Sequence, residues 1–173
     1  MAARTDTAKE KADRELVITR VFDAPRALVW KAWTEPDHFT RWWGPKGFTT
    51  PVCKIHLRVG GEYLNCMRSP EGQEFWSKGT FREVVAPERL VMTASVADAE
   101  GNVVPASHYG MSGDWPLETL ITVTLEEHNG KTKLTLRHAG LPAGKNRDMA
   151  GAGYNESFDK LAKSLLALRR EIQ

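Results

Sequence analysis

Histidine is the residue type in this chain most able to transfer protons or bind a metal ion. The chain has five: His38, His56, His108, His128 and His138. They are scattered, without the close His, Cys or carboxylate spacing of a metal site. The chain also lacks the motifs of serine hydrolases, P-loop proteins, dinucleotide-binding proteins and zinc metalloproteases. The sequence therefore predicts no metal site and no cofactor, and it leaves open whether the protein is an enzyme.

His138 is the histidine with the best-defined position, because it lies in a hairpin whose register can be counted. Asn129-Gly130 is the preferred pair for a two-residue type I′ turn. Pairing outward from this turn sets Ile121 opposite His138 on the apolar face, with the pairs Leu125–Leu134 and Val123–Leu136. A buried imidazole there can hydrogen-bond a ligand or act as an acid or base. The alternative is a core histidine bonded to nearby backbone.

Two further side chains are candidates for acid–base chemistry. Tyr154 lies on an amphipathic C-terminal helix and carries a hydroxyl that can transfer a proton. Glu118 precedes Ile121 by three residues in the same predicted strand, so strand alternation places it on the opposite face unless a bulge shifts the strand. We name His138, Tyr154 and Glu118 as catalytic candidates, with Glu118 on the less favourable face.

Aromatic side chains are further candidates for a site, because they line ligand pockets as well as filling cores. Of the six tryptophans, we assign Trp33 and Trp42 to structure. The candidate ligand-binding residues come from the middle of the chain, the hairpin and the final helix: Trp43, Phe48, Tyr63, Asn65, Met67, Trp76, Ile121, Val123, His138, Tyr154 and Phe158. Each of them can equally be packing.

The elements that must position these residues follow one another as a strand, two short helices, six strands and a long helix. Asp23 is placed to cap the first helix, which Glu35-Pro36 ends. In the middle of the chain, turn residues separate strand patterns at hairpin distances, which favours an antiparallel sheet. The last helix, predicted over residues 148–170, has one apolar stripe that needs a sheet to cover it. This order predicts an α+β fold with the helix laid across a bent sheet.

One segment, residues 97–116, is long for a connection in a compact domain. It is mixed in composition and punctuated by Gly and Pro. Loops of this length are either lids over binding sites or insertions that the fold tolerates without using them. The sequence leaves both interpretations open.

Composition limits the classes of partner and the compartment. Lys and Arg total 24 against 22 Asp and Glu, a net charge of +2, and no basic cluster marks a nucleic-acid surface. Residues 1–14 lack the apolar segment of a secretory signal, and no later run reaches membrane-span length. We therefore expect a cytoplasmic protein without nucleic-acid binding or membrane insertion, with a flexible tail over 1–14 and one domain over 15–173. Cys53 and Cys66 are expected to be free thiols, with a disulfide left open.

Several segments together resemble a known family. They are LVWKAWTEPDHFTRWWGPKGFT, RVGGEY, GTFREVVAPERLVMT and the final hairpin ITVTL…GKTKLTLRHAG. In this order, over about residues 15–170, they resemble the activator-of-heat-shock-chaperone-ATPase-like family of the START-like, or polyketide-cyclase-like, superfamily. One departure is Tyr154 after Gly153, where family members commonly have Trp. The resemblance implies a helix-grip (START-like, Bet v 1-like) fold, a curved antiparallel sheet wrapped around the long C-terminal helix.

Three functions are compatible with these features. The first is the binding of a small apolar or aromatic molecule, lipid- or polyketide-like, in a cavity between the sheet and the C-terminal helix. The second is a cyclase- or hydratase-type enzyme that uses the same cavity to orient its substrate, with His138 or Tyr154 transferring the proton. The third is an interaction module, a chaperone partner or a stress-linked homodimer, which the family name suggests.

Overall fold

The computed structural model describes residues 15–111, 115–141 and 143–172; the predicted tail over 1–14 lies outside the described residues. Its elements, in chain order, are β1 (Glu15–Phe22), α1 (Arg26–Thr34), α2 (Pro36–Phe39), β2 (Thr49–Ile55), β3 (Glu62–Arg68), β4 (Glu74–Val85), β5 (Arg89–Ala97), a 3₁₀ turn (Ala106–Tyr109), β6 (Thr119–His128), β7 (Lys131–Ala139) and α3 (Lys145–Ile172). Among the described residues, no helix is long and apolar enough to cross a membrane.

The seven strands form one curved antiparallel sheet in the order β1-β7-β6-β5-β4-β3-β2. Each neighbouring pair along the chain from β2 to β7 is a hairpin, and β1 joins the sheet by pairing with β7. The long helix α3 lies against the concave face. The predicted α+β, helix-grip fold is therefore confirmed.

The register predicted for the last hairpin is also confirmed. Asn129 and Gly130 both have positive φ, 52° and 81°, as a type I′ turn requires. Outward from this turn, Leu125 pairs with Leu134, Val123 with Leu136 and Ile121 with His138. These residues are buried, whereas Thr122, Thr124 and Thr135 on the opposite face are half-buried. His138 therefore faces the interior.

The start of α1 differs from the prediction. Pro25, not Asp23, occupies the N-cap, and no side chain caps the helix. The Asp23 carboxylate instead lies 3.2 Å from the guanidinium of Arg169, near the end of α3. The capping prediction was wrong because Pro25 stands directly before the first helical residue, so that Asp23 lies two residues too early in the chain. The ion pair ties the end of α3 to the connection between β1 and α1.

The two cysteines are free. On the paired strands β2 and β3, Cys53 lies opposite Asn65, and Cys66 lies opposite Val52. Because successive side chains point to opposite faces of a sheet, Cys53 faces the concave side and Cys66 the convex side. Their Cβ atoms point apart, which excludes the disulfide that the sequence left open.

Candidate functional site

A cavity of about 300 Å³ separates the concave face of the sheet from the first half of α3. The inward side chains of β2 to β7 form its floor. The roof is formed by one stripe of α3, consisting of Asn146, Met149, Ala150, Gly153, Tyr154 and Ser157. Most of these roof residues are small or polar, so the helix does not fill the space beneath it. The cavity is therefore a direct consequence of the residue sizes along this stripe.

A chain of hydrogen bonds centred on His138 forms part of the cavity wall. Thr119 Oγ1 lies 2.7 Å from His138 Nε2 and 3.2 Å from the carbonyl oxygen of Ala94, and the Tyr154 hydroxyl lies 3.0 Å from His138 Nδ1. A carbonyl oxygen can only accept. All three contacts are satisfied together only when Thr119 donates to Ala94, His138 Nε2–H donates to Thr119, and Tyr154 donates to His138. The Tyr154 oxygen then keeps a lone pair that can accept a hydrogen bond.

Burial keeps the imidazole and the phenol of this hydrogen-bond network neutral. Desolvation lowers the pKa of His138 from 6.5 to about 4, because the charged imidazolium loses its hydration inside the protein. The same cause raises the pKa of Tyr154 well above its usual value. At neutral pH the wall therefore presents an uncharged imidazole and an uncharged phenol.

The described residues that line the cavity carry no formal charge at neutral pH. None of the described residues that line it is Asp, Glu, Lys or Arg. The other ionisable groups among the described lining residues are Cys53, whose pKa burial raises to about 12, and Tyr63, whose pKa burial also raises from its usual value. The Tyr63 hydroxyl donates to the carbonyl oxygen of Thr93 at 2.8 Å. Lining groups that can ionise are thus all held in their neutral forms.

A second polar pair lies on strands β3 and β4. Ser77 Oγ donates to Asn65 Oδ1 at 2.7 Å, and both residues line the cavity. Asn65 is only 3% exposed. Its side-chain oxygen accepts from Ser77, and within the described part of the chain no protein group accepts a hydrogen bond from its amide nitrogen. The pair therefore offers an N–H donor on the opposite side of the cavity from His138.

The loop between α2 and β2 closes one side of the cavity and is fastened to α3. The Gly44 N–H donates to Ser157 Oγ at 3.1 Å. The Lys160 ammonium donates to the carbonyl oxygens of Gly44, Pro45 and Phe48, at 3.1, 3.4 and 3.1 Å. These bonds fix the segment Trp43-Gly44-Pro45, which lines the cavity.

Methionine is concentrated around the cavity. Of the five methionines in the chain, the four beyond Met1 all line it: Met67, Met92, Met111 and Met149. The unbranched, polarisable side chain of methionine adapts to differently shaped neighbours and makes favourable contacts with aromatic rings. The wall can therefore adjust to the molecule it contacts.

The structure brings seven of the candidate ligand-binding residues to the cavity lining: Trp43, Tyr63, Asn65, Met67, Ile121, His138 and Tyr154. Val123 and Phe158 face the same side of the sheet but are buried in the solid core beyond the cavity. The Phe48 ring packs near Phe75, with 6.2 Å between ring centroids, outside the lining. Trp76 lies on the convex face, because Ser77 beside it points into the cavity and strand neighbours alternate.

Glu118, the third catalytic candidate, is away from this site. It lies just before β6, and its side chain is 62% exposed, with Oε1 4.0 Å from Arg82. Thr119 points inward, so alternation directs Glu118 outward. No bulge shifts the start of β6 to bring its carboxylate to His138.

The sequence analysis missed several lining residues. Thr119 shares the inward face with Ile121, so counting the hairpin register two residues further would have found it. Ser77 could have been found only with the β3–β4 register, which no turn motif fixes. Trp33, assigned to structure, both packs in the aromatic core and lines the cavity, whereas Trp42 is fully buried and donates to the Ala32 carbonyl at 2.9 Å.

The loop over residues 97–116 contributes directly to the cavity. Met111 and Trp115 line it, and the Trp115 ring lies 6.4 Å from the His138 ring. Earlier in the loop, the Tyr109 hydroxyl contacts the Trp76 backbone N–H and the Ala97 carbonyl oxygen, which fastens the 3₁₀ turn to the ends of β4 and β5. Residues 112–114 lie outside the described residues.

Comparison with known proteins places the chain among proteins of the same fold. The family model described as Activator of Hsp90 ATPase homolog 1-like protein matches residues 23–165. Similar solved structures include a protein from Nitrosomonas europaea (24% identity, TM-score 0.74, covering 92% of this chain and 98% of that one) and a protein from Arthrobacter aurescens (25%, 0.75, 90% and 88%). A third, from Silicibacter pomeroyi, is described as an AHSA1 protein (22%, 0.71, 90% and 99%). No curated protein matches the chain.

Proposed function

The chain belongs to the Activator of Hsp90 ATPase homolog 1-like family, as its motifs indicated, and we propose that it binds a small, uncharged, largely apolar molecule between the sheet and α3. The observation that carries this proposal is the cavity of about 300 Å³, with no charged residue among its described lining residues. Small-molecule sites typically have volumes of ~300–1,000 Å³, apolar walls and a few placed polar groups.

Stability alone does not account for such a cavity. Protein interiors are close-packed, with few voids larger than a water molecule. An unfilled apolar space lowers stability because its lining atoms lose contacts. The rest of the interior is solidly packed around Phe158, Leu161 and Leu165, each at most 2% exposed. The space beneath the first half of α3 is therefore best explained by a molecule that occupies it.

The proposal is tested first with the whole chain and a neutral fluorescent probe. N-phenyl-1-naphthylamine should gain fluorescence on binding the wild-type chain. Ala94→Phe places a large side chain on the cavity floor and should weaken binding at least tenfold. The matched change Ala167→Phe, on the exposed side of α3, should leave binding unaltered. Equal binding by both variants would place the probe elsewhere and contradict the proposal.

Native mass spectrometry of gently purified protein supplies an independent test. A retained molecule adds its mass to the native species and leaves it on denaturation. A reproducible extra mass of a few hundred daltons would support the proposal and identify a chemical class. Absence of both a retained mass and probe binding would overturn the proposal.

A second candidate is an enzyme of the cyclase or hydratase type, and the Thr119–His138–Tyr154 chain is the observation that favours it. General acid–base catalysis works best when the pKa of the catalytic group lies near the working pH. Here burial moves the pKa of His138 down to about 4 and that of Tyr154 upward, so each becomes a weaker base or acid at neutral pH. These directions favour hydrogen bonding over proton transfer, and binding is therefore our first proposal. If a substrate is found, unchanged turnover by His138→Ala and Tyr154→Phe would remove both residues from the mechanism.

Contact with a chaperone, a homodimer and a cytoplasmic location are further proposals, carried by the family description and the sequence. Gel filtration of the purified chain tests the homodimer. Binding of a purified chaperone, compared with and without a saturating cavity probe, tests whether such contact depends on the cavity. A chain that remains monomeric and binds no chaperone would contradict the homodimer and the chaperone contact.

A further inference from the structure

The cavity has hydrogen-bonding groups on two separate walls, and we propose that its ligand is an uncharged, largely apolar molecule with one hydrogen-bonding group at each end. This inference rests on the proposed function and specifies the class of ligand. One end would accept a hydrogen bond from Asn65, and the other would donate to Tyr154.

The first wall is the Asn65–Ser77 pair on β3 and β4. Ser77 fixes the orientation of the Asn65 amide by donating to its oxygen at 2.7 Å. Asn65 lines the cavity, and within the described residues no protein group accepts a hydrogen bond from its amide nitrogen. A donor that faces the interior is left without a hydrogen bond when an apolar surface displaces water from it, and this is unfavourable. A carbonyl, ether or hydroxyl oxygen of a ligand would satisfy it.

The second wall is the Thr119–His138–Tyr154 chain on β6, β7 and α3. His138 is 5% exposed and Tyr154 9% exposed. Because Thr119 donates to the Ala94 carbonyl and His138 Nε2–H donates to Thr119, the Tyr154 hydroxyl donates its proton to His138 Nδ1. The Tyr154 oxygen is then an acceptor toward the cavity. A ligand hydroxyl or N–H would complete its hydrogen bonding.

The two walls are separated by an apolar stretch of sheet. Asn65 is on β3 and Thr119 on β6, three strand spacings apart in the sheet order. This corresponds to ~14 Å along the sheet, and to less in a straight line across its concave face. Met92, Ala94 and Val96 line the cavity on β5 between the two walls. A rigid apolar body with a polar atom at each end matches this arrangement.

Charged ligands are disfavoured by the same lining. A carboxylate or ammonium group inside the cavity would lose its hydration without an ion-pair partner among the described lining residues. The Lys160 ammonium, on the same helix as the roof residues, is already bonded to three backbone carbonyl oxygens and is not part of the lining. The directions of the pKa shifts of Cys53, Tyr63, His138 and Tyr154 agree, since each group is held neutral.

A matched series of biphenyls tests the inference on the wild-type chain. The probes are biphenyl, 4-phenylphenol, 4,4′-dihydroxybiphenyl and biphenyl-4,4′-dicarboxylate, and the signal is tryptophan fluorescence, because Trp33, Trp43 and Trp115 line the cavity. Affinity should rise roughly fivefold with each hydroxyl, the gain of one ordinary hydrogen bond. The dicarboxylate should not bind at concentrations that saturate the diol.

Two substitutions assign the hydroxyls to their walls. Asn65→Leu and Tyr154→Phe should each lower affinity for the diol roughly fivefold. Each should leave 4-phenylphenol nearly unchanged, because its single hydroxyl can turn to the intact wall. The double variant should bind the diol no better than biphenyl. Asn155→Leu, the same Asn-to-Leu change on the exposed side of α3, is the control and should leave all affinities unaltered.

The outcomes separate this inference from the proposed function. If no biphenyl binds the wild-type chain, the proposed function fails together with the inference. If biphenyl and the diol bind equally, or if the dicarboxylate binds as well as the diol, the cavity binds ligands but the two-ended, uncharged class is wrong. Circular dichroism checks that the variants fold. Should Asn65→Leu not fold, the wild-type series still decides between these outcomes.

Discussion

The two halves of α3 lie on the same sheet but differ in how they meet it. In the second half, the inward stripe consists of large apolar residues that are almost fully buried: Phe158, Leu161, Leu165 and Leu168. In the first half, the corresponding positions are mostly small or polar, and a cavity lies beneath them. The second half of α3 therefore anchors the helix on the sheet by apolar packing, whereas the first half leaves space for a site.

The aromatic cluster beside α1 connects the two halves. Trp33 and Trp42 lie 4.8 Å apart between ring centroids, and Phe39 stacks on Trp43 at 4.9 Å. Trp42 packs toward Phe158 in the solid half, and Trp43 toward Tyr154 at the cavity, at 6.2 and 6.0 Å. The cluster therefore supports the cavity wall with rings that are themselves fixed by the core.

The largest effect is expected from truncating the solid half. Phe158→Ala should lower the free energy of unfolding by about 3–5 kcal/mol, because a fully buried ring leaves a cavity that its neighbours cannot fill. Met92→Ala, in the floor of the existing cavity, should cost about 2 kcal/mol or less, because its side chain has fewer contacts to lose. Urea unfolding of both variants gives the comparison. Equal losses would mean that the two halves are packed alike.

The second prediction concerns pH and the only histidine that faces the cavity among the described residues. The pKa of His138 is 6.5 unfolded and about 4 folded, so between these values the unfolded chain binds more protons. The free energy of unfolding should therefore fall by about 3 kcal/mol as the pH drops from 6.5 to 4.

Paired urea titrations at several pH values isolate this contribution. His138→Gln removes the titrating group, so its stability should depend less steeply on pH than that of the wild type in this window. His128→Gln, at an exposed histidine in the hairpin turn, is the control and should follow the wild type. Parallel curves for wild type and His138→Gln would contradict the burial of a neutral imidazole.

The sequence predicted most of the fold because the signals in it are local. The Asn129-Gly130 turn fixes a register by counting, and this register alone placed His138 inside. The apolar stripe of α3 required a sheet, and turn residues between strand patterns required that sheet to be antiparallel. Asp23 was misjudged because a carboxylate two residues before Pro25 resembles a cap, while its real partner, Arg169, is 146 residues away.

The site was less predictable because it depends on which face of the sheet each residue occupies and on where the side chains leave space unfilled. Trp76 and Ser77 are neighbours, and only the β3–β4 register shows that Ser77 faces the cavity. Val123 and Ile121 share a face, yet only Ile121 lines the cavity, because Val123 is enclosed in the packed core. A cavity is formed by small residues on opposing elements, and a single sequence does not show which small residues oppose one another.

The third prediction concerns the floor of the cavity, where Tyr63 and Gly79 form a cross-strand pair. A Cβ at Gly79 would collide with the Thr93 carbonyl oxygen and come within 2.5 Å of the Tyr63 ring. Gly79→Ala should therefore lower the free energy of unfolding by about 1–3 kcal/mol, the usual cost of overpacking. Thermal unfolding measures it. An unchanged melting temperature would show that the Thr93 carbonyl and the Tyr63 ring can both move away from position 79 without loss of stability.

The smallest effect is expected in the roof, where Gly153 lies inside α3. Here a Cβ would meet only Pro45 Cγ at 3.5 Å, an ordinary contact. Gly153→Ala should therefore raise the free energy of unfolding by about 0.5–1 kcal/mol, because alanine loses less backbone entropy in a helix than glycine. The added methyl narrows the cavity between α3 and Pro45, so binding of N-phenyl-1-naphthylamine should weaken at the same time. Higher stability with unchanged binding would mean that the ligand does not contact the roof, and that the first half of α3 is loosely packed for another reason.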